Sequence, residues 1–220
     1  MSLRLFLDSA DPQAWQSWLP SGLFYGVTTN PTLLRRAGQP CTLEALEALT
    51  RQALSRGCQE VHLQAWGAEA TALEACGRSL AAFAPGQVMV KVPISRAGIA
   101  AAARLIASHI PITFTACYAV PQVLVAAALG ARYVAPYLGR LNDLGRDGPA
   151  ELVAMQRCLR GSDAPVRLLV ASLRRLEELS LLAAAGLDTF TISPELAAGL
   201  CENAETEAAA ARFEQDAAAS

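Results

Sequence analysis

Eighteen basic side chains are spread along the 220 residues, and only one of them, Lys91, is a lysine. It lies in Val88-Met89-Val90-Lys91-Val92-Pro93, an apolar run that reads as a buried strand. A guanidinium stays protonated and cannot condense with a carbonyl, whereas a desolvated amine loses part of its proton affinity and becomes a nucleophile. Where arginine stands at every other basic position, the one position that kept an amine points to imine chemistry with a ketone or aldehyde. The plainer reading is a lysine at a strand end that snorkels to water or pairs with an acid.

Other polar residues close apolar runs in the same way: Asp8, Thr28 with Asn30, Gln64, Thr115, Tyr137 with Arg140, and Ser172. If Lys91 attacks a ketone, forming the carbinolamine and then the imine requires protons to be moved. Asp8 and Tyr137 are the available acid/base groups, with Gln64 and Thr115 holding a water between them. Arg140, Ser172 and Arg174 gather after the sixth and seventh runs, and an arginine fork matches phosphate oxygens. Each residue also has a structural role open to it. Asp8 could neutralise Lys91 as an ion pair, Asn30 before Pro31 could be an Asx-turn that starts a helix, and Tyr137 could be a core aromatic with a satisfied hydroxyl. His62 and His109 are taken as structural, and Trp15 and Trp18 as the packing of an early short helix.

The elements that must position these groups are eight short apolar or alternating runs. They are Leu3–Asp8, Gly26–Asn30, Glu60–Ala65, Val88–Pro93, Pro111–Ala116, Tyr133–Leu138, Arg167–Ser172 and Thr189–Ser193. Stretches with helical spacing separate them, such as Leu43, Leu46, Leu49 and Ala53, or Ile99, Ala102, Ala103 and Ile106 behind the N-cap Ser95. Eight strand–helix repeats predict a single-domain (β/α)8 TIM barrel of near-minimal size, 1–220, with an Ala-rich C-terminal helix and tail over 203–220. A doubly wound sheet is the runner-up, but no Gly-rich phosphate loop follows the first strand. In a barrel, catalytic groups lie at the C-terminal strand ends, so the polar residues of these seven strand ends would share one rim.

Hydrophobic residues make up 53% and charged residues 17%, enough for a sizeable core, and the net charge of −2 argues against a general nucleic-acid binder. The six cysteines are far apart and form no CxxC, so no metal site is expected. No signal-type apolar segment opens the chain, which suggests a reducing cytoplasm, and no apolar run approaches the ~20 residues of a membrane span.

At these residues the chain resembles the transaldolase family of Schiff-base barrels. The likeness rests on Leu5-Phe6-Leu7-Asp8-Ser9-Ala10, Gly26-Val27-Thr28-Thr29-Asn30-Pro31, Val90-Lys91-Val92-Pro93 and Tyr133-Val134-Ala135-Pro136-Tyr137, in order over nearly the whole length. The resemblance implies that Lys91 is the Schiff-base lysine and Asp8 its proton-handling partner, with Thr28 and Asn30 in the pocket for a dihydroxyacetone moiety. It implies sugar phosphate substrates, no cofactor, carbohydrate metabolism of the pentose phosphate type, and a homo-oligomer, a pentamer or a decamer of two pentamers.

The family contains two chemistries. Transaldolases keep the enamine for an aldose phosphate acceptor, and fructose-6-phosphate aldolases release free dihydroxyacetone and glyceraldehyde 3-phosphate. Transaldolases typically have Glu at the place of Gln64, Ser at Ala135 and Phe at Tyr137, and many have Asn at Thr113. By these positions the chain is similar to the aldolase branch, a class I aldehyde-lyase acting reversibly on fructose 6-phosphate. The alternative is a transaldolase moving a dihydroxyacetone unit between sedoheptulose 7-phosphate and glyceraldehyde 3-phosphate. A non-catalytic sugar phosphate binder is disfavoured because Asp8 and Lys91 are both present. Arg174 is lysine in the aldolase pattern and arginine in transaldolases, Gly139 replaces an aldolase Asn in what reads as a loop to Asp147, and the C-terminal tail is shorter.

Overall fold

The computed structural model describes residues 3–219. Eight strands alternate with helices: β1 (Arg4–Asp8), β2 (Gly26–Thr28), β3 (Glu60–Gln64), β4 (Val88–Pro93), β5 (Ile112–Cys117), β6 (Tyr133–Pro136), β7 (Arg167–Leu168) and β8 (Thr189–Ile192). They pair in parallel in the order β7-β6-β5-β4-β3-β2-β1-β8. The barrel closes between β7 and β8 through a bridge from Val170 to Phe190. There the N–H groups of Val170 and Thr191 donate across the seam to the carbonyls of Thr189 and Val170, each at 2.9 Å. This is the (β/α)8 barrel that the repeats predict.

The connecting helices are α1 (Pro12–Trp18), α2 (Pro31–Arg36), α3 (Leu43–Ser55), α4 (Ala70–Ala81), α5 (Arg96–Ala107), α6 (Gln122–Leu129), α7 (Leu138–Asp143), α8 (Gly148–Gly161), α9 (Leu176–Ala184) and α10 (Pro194–Gly199). Their starts follow local chemistry: Thr42, Ser95, Asp147 and Ser193 each accept a hydrogen bond from a first-turn N–H. One stripe of each longer helix, such as Leu46, Leu49 and Ala53 of α3, packs on the outside of the barrel.

Most strand boundaries shift by one or two residues from the sequence reading, and three departures bear on the site. The sixth strand ends at Pro136 rather than Leu138, because Tyr137 leaves the extended conformation and Leu138 opens α7. The stretch from Gly139 that reads as a loop is therefore mostly helix, anchored by the buried Leu138 and Leu141. The seventh strand is regular only over Arg167–Leu168 and continues as single bridges at Val170 and Ala171, before Ser172 turns into the left-handed region at φ 62°. A final helix, α11 (Ala204–Ala218), follows as expected, but none of its side chains is buried and Phe213 is 69% exposed.

The lower half of the barrel interior is sealed. Phe6, Met89, Tyr133, Ala135 and Leu169 fill it, and Gly26 has no room for a Cβ, which would sit 2.0 Å from the Glu60 carbonyl oxygen. Among them runs a buried polar network. The Glu60 carboxylate accepts from the Tyr133 hydroxyl at 2.6 Å and from Arg4 Nη1 at 3.3 Å. His62 is fully buried, with Nε2 3.4 Å from Glu60 Oε2 and Nδ1 3.0 Å from the Thr113 hydroxyl. A carboxylate only accepts, so the ring proton is on Nε2 and Nδ1 accepts from Thr113. Burial drives the His62 imidazole down from 6.5 to about 4, against the pull of Glu60. Burial raises Glu60, but hydrogen bonds from His62 and Tyr133 and the Arg4 charge outweigh it, and the carboxyl ends below its ordinary value.

Candidate active site

Above this plug the C-terminal strand ends open into a cavity of about 610 Å³, within the range of small-molecule sites. Asp8, Thr28, Asn30, Gln64, Lys91, Ala135, Tyr137, Arg140, Ser172 and Arg174 all line it. Thr115 is joined to it through Gln64. The eight strands thus bring together every site residue that the sequence singled out, although these residues span most of the chain.

Lys91 sits on the cavity floor, 6% exposed, and its amine donates to the Thr29 carbonyl at 2.6 Å. Burial lowers its proton affinity, and the Asp8 charge opposes that shift only in part. Burial likewise raises Asp8, against Lys91, the Thr28 hydroxyl and Arg36. No salt bridge joins the two groups among the described residues, so the simple ion-pair role for Asp8 is not what the geometry provides. Instead Asp8 accepts from Thr28 Oγ1 at 2.6 Å, and Thr28 Oγ1 lies 2.6 Å from Thr191 Oγ1. Desolvation pushes both the amine and the carboxyl toward their neutral forms, the state in which one can attack and the other can carry a proton.

The second wall is a string of polar side chains from β3, β5 and β6. The Gln64 amide nitrogen donates to the carbonyls of Lys91 at 3.0 Å and Ala65 at 3.2 Å, and its oxygen accepts directly from Thr115 Oγ1 at 3.2 Å. Gln64 and Thr115 thus touch each other directly on the wall that carries Tyr137. The Tyr137 phenol lies near the Thr115 side chain and the Ala116 backbone, close enough for both to act on its proton affinity. Ala116 has φ 55° at an irregularity in the β5–β6 pairing, an unusual conformation that turns its backbone toward the site. Burial holds the Tyr137 phenol above its ordinary range despite Ala116, Thr115 and Arg140, so it is a neutral proton donor at pH 7. Thr113, one place below, is taken up by His62.

Asn30 has both roles open to it at sequence level. Its side-chain oxygen caps α2, accepting from Thr32 and Leu33 N–H at 2.9 and 3.0 Å, while the residue also lines the cavity. Across the mouth, Arg140 lies over the Tyr137 ring at 4.9 Å and donates to the Tyr118 hydroxyl at 3.3 Å. Arg174 is forked onto the exposed carboxylate of Asp143, with Nη1 2.6 Å from Oδ1. A surface pair of this kind is screened by water and weak, so a phosphate can displace it. Gly139 explains its own lack of side chain: its N–H donates to the Ser172 carbonyl at 2.9 Å, and a Cβ would lie 2.5 Å from that oxygen and 2.8 Å from Arg174 Nε.

Comparison with known proteins places the chain in a family. The family model described as Transaldolase/Fructose-6-phosphate aldolase matches residues 5–220. The chain belongs to that family. A "Probable transaldolase" of Caulobacter sp. (strain K31) is 34% identical over 97% of this chain and 96% of its own length. A second "Probable transaldolase", from Thermus thermophilus, is 33% identical over 97% of both chains. Among solved structures, a "putative phosphonomutase" from Burkholderia cenocepacia J2315 shares the fold, with a TM-score of 0.61 at 15% identity over 97% of this chain and 94% of that one.

The structure adds residues that the sequence reading passed over. Thr29 supplies the carbonyl that holds Lys91, Thr191 buttresses Thr28, and Tyr118 holds Arg140. Ala116, Ser193 and Arg36 line the cavity. Thr191 and Ser193 were accessible to the rule that found the others, since they close the eighth apolar run. Thr29, Ala116 and Arg36 carry no such signal: two act through the backbone, and the third stands on a helix.

Proposed function

We propose that the protein is a class I aldolase that reversibly cleaves fructose 6-phosphate to dihydroxyacetone and glyceraldehyde 3-phosphate. The observation that carries this reading is the desolvated amine of Lys91, with Asp8 on one side and the Tyr137–Thr115–Gln64 string on the other. Lys91 Nζ adds to the ketone carbon, a proton from Asp8 helps the carbinolamine lose water, and the iminium that results draws electrons. The bond between carbons 3 and 4 then breaks as a base takes the proton of the carbon-4 hydroxyl. Glyceraldehyde 3-phosphate leaves and an enamine stays on Lys91. Tyr137 protonates the enamine carbon, and water hydrolyses the imine to free dihydroxyacetone and the amine. Arg140, Ser172 and Arg174 hold the phosphate at the far side of the mouth. The reaction needs no cofactor.

The neutral phenol of Tyr137 supports the aldolase over the transaldolase. A donor placed beside the enamine discharges it, whereas a phenylalanine leaves it waiting for an acceptor. Gln64 is a carboxamide and does not titrate; its nitrogen is anchored on two carbonyls, and its part is to orient Thr115. The second reading is a transaldolase, which the name carried by the relatives favours. We further infer a homo-oligomeric enzyme of the cytoplasm, a pentamer or decamer acting in pentose phosphate metabolism. The α11 helix, which buries nothing on its own barrel, is available for the subunit contact.

The test is an assay without acceptor. Fructose 6-phosphate is supplied alone and glyceraldehyde 3-phosphate is followed with a coupled dehydrogenase, then the assay is repeated with erythrose 4-phosphate. Steady turnover without acceptor supports the aldolase, and turnover only with acceptor makes the protein a transaldolase.

A further inference from the structure

The cavity carries cations on opposite sides. Arg140 and Arg174 follow β6 and β7, where the phosphate of the proposed substrate is held. Arg36, at the end of α2, lines the same cavity from the rim above β2. In the strand order, β2 is four places from β6, which in a barrel of eight is diametrically across. Lys91 on β4 is two places from each. A ligand whose carbonyl carbon sits on Lys91 therefore has one arm running toward Arg140 and the other toward Arg36.

The surroundings of Arg36 leave its guanidinium available. Arg174 is forked by Asp143 and Arg140 is bonded to Tyr118, but Arg36 makes no hydrogen bond and no salt bridge within 4.0 Å among the described residues. The charged groups that feel it are Asp8 and Glu195, both at longer range. A helix C-terminus welcomes a cation, but the adjacent Arg35 already satisfies that preference without lining the cavity. A neutral dihydroxyacetone arm has no use for a guanidinium, which recognises paired phosphate or carboxylate oxygens.

We propose that Arg36 forms a second anion subsite, which lets the pocket take a ketone donor phosphorylated on its own arm. This rests on the Lys91 imine of the proposed function. With dihydroxyacetone phosphate as donor, Lys91 forms the imine with loss of water, a base removes a proton from the unphosphorylated hydroxymethyl carbon to give the enamine, and that carbon bonds to the aldehyde carbon of glyceraldehyde 3-phosphate. The aldehyde oxygen takes up a proton, and hydrolysis frees a ketose bisphosphate. No electrons are gained or lost overall.

The test traps the imine with borohydride and reads the Lys91 adduct by mass spectrometry, with dihydroxyacetone and dihydroxyacetone phosphate titrated separately. In the unmodified protein the phosphorylated donor half-saturates trapping at a concentration about tenfold to a hundredfold lower, the worth of one or two charge-assisted hydrogen bonds. Arg36→Ala collapses that ratio to near one, and Arg36→Lys restores part of it. A ratio that is the same in Arg36→Ala as in the parent overturns the proposal, because Arg36 would then act on Asp8 and not on the ligand. Adduct with dihydroxyacetone alone also overturns it and leaves the Lys91 chemistry standing. No adduct with either donor, in a protein of native circular dichroism, overturns both.

Discussion

His62 makes the stability of this barrel depend on pH in a defined window. The ring is fully buried and neutral, and it is surrounded by Glu60, Tyr133 and Arg4 below and Lys91 above. Its pKa is about 4 in the folded chain, against 6.5 when exposed. The unfolded state therefore binds the proton more readily, and protonation draws the equilibrium toward unfolding. The stability is intact above pH 6.5 and falls as the pH drops toward 4. At about 1.4 kcal/mol per pH unit the whole effect is roughly 3 kcal/mol, of which about 2 kcal/mol is gone by pH 5. For a chain of this size that is a fall in Tm of about 4–8 °C between pH 7.5 and pH 5. Asp8 works in the opposite direction, because its raised pKa favours the folded state as pH falls through that value, so the His62 contribution must be isolated by a variant. His62→Gln keeps a donor for Glu60 and an acceptor for Thr113 without a titrating ring. Thermal unfolding of both proteins across pH 5–7.5 should show the parent losing about 2 kcal/mol more than His62→Gln. Parallel pH profiles, or an imidazole proton resonance titrating near 6.5 in the native protein, would refute the reasoning.

Three further outcomes follow from the site. Lys91→Met should abolish borohydride-trapped adduct while the variant stays within about 1 kcal/mol of the parent in urea unfolding, since the lost bond to Thr29 is offset by removing a desolvated amine; residual adduct would mean another nucleophile. Tyr137→Phe should slow acceptor-free cleavage by at least ~10-fold, with transfer to erythrose 4-phosphate less affected, and equal rates in both proteins would remove the argument for the aldolase. Gly139→Asn forces the Ser172 backbone and Arg174 to move, at about 1–3 kcal/mol. The KM for fructose 6-phosphate should rise about tenfold or more while dihydroxyacetone trapping on Lys91 persists, and an unchanged KM would place the phosphate elsewhere.

Much of this protein was legible without coordinates. Short apolar runs at regular spacing, each closed by a polar residue, are what a parallel barrel buried on both faces demands, and the rule that strand ends share one rim then gathers Asp8, Lys91 and Tyr137 into one site. The lone lysine in an apolar run pointed to imine chemistry, because among the basic side chains only an amine forms an imine. What the sequence left open depended on distances between distant segments. Whether Asp8 pairs with Lys91 or with Thr28, and whether Gln64 meets Thr115 directly, is set by the barrel's register, which no local pattern encodes. The Thr29 carbonyl and the turned backbone of Ala116 act through atoms that every residue possesses, so side-chain identity is silent about them. Arg36 reads as an ordinary helix-end cation until the closure of eight strands places it across the mouth from Arg140.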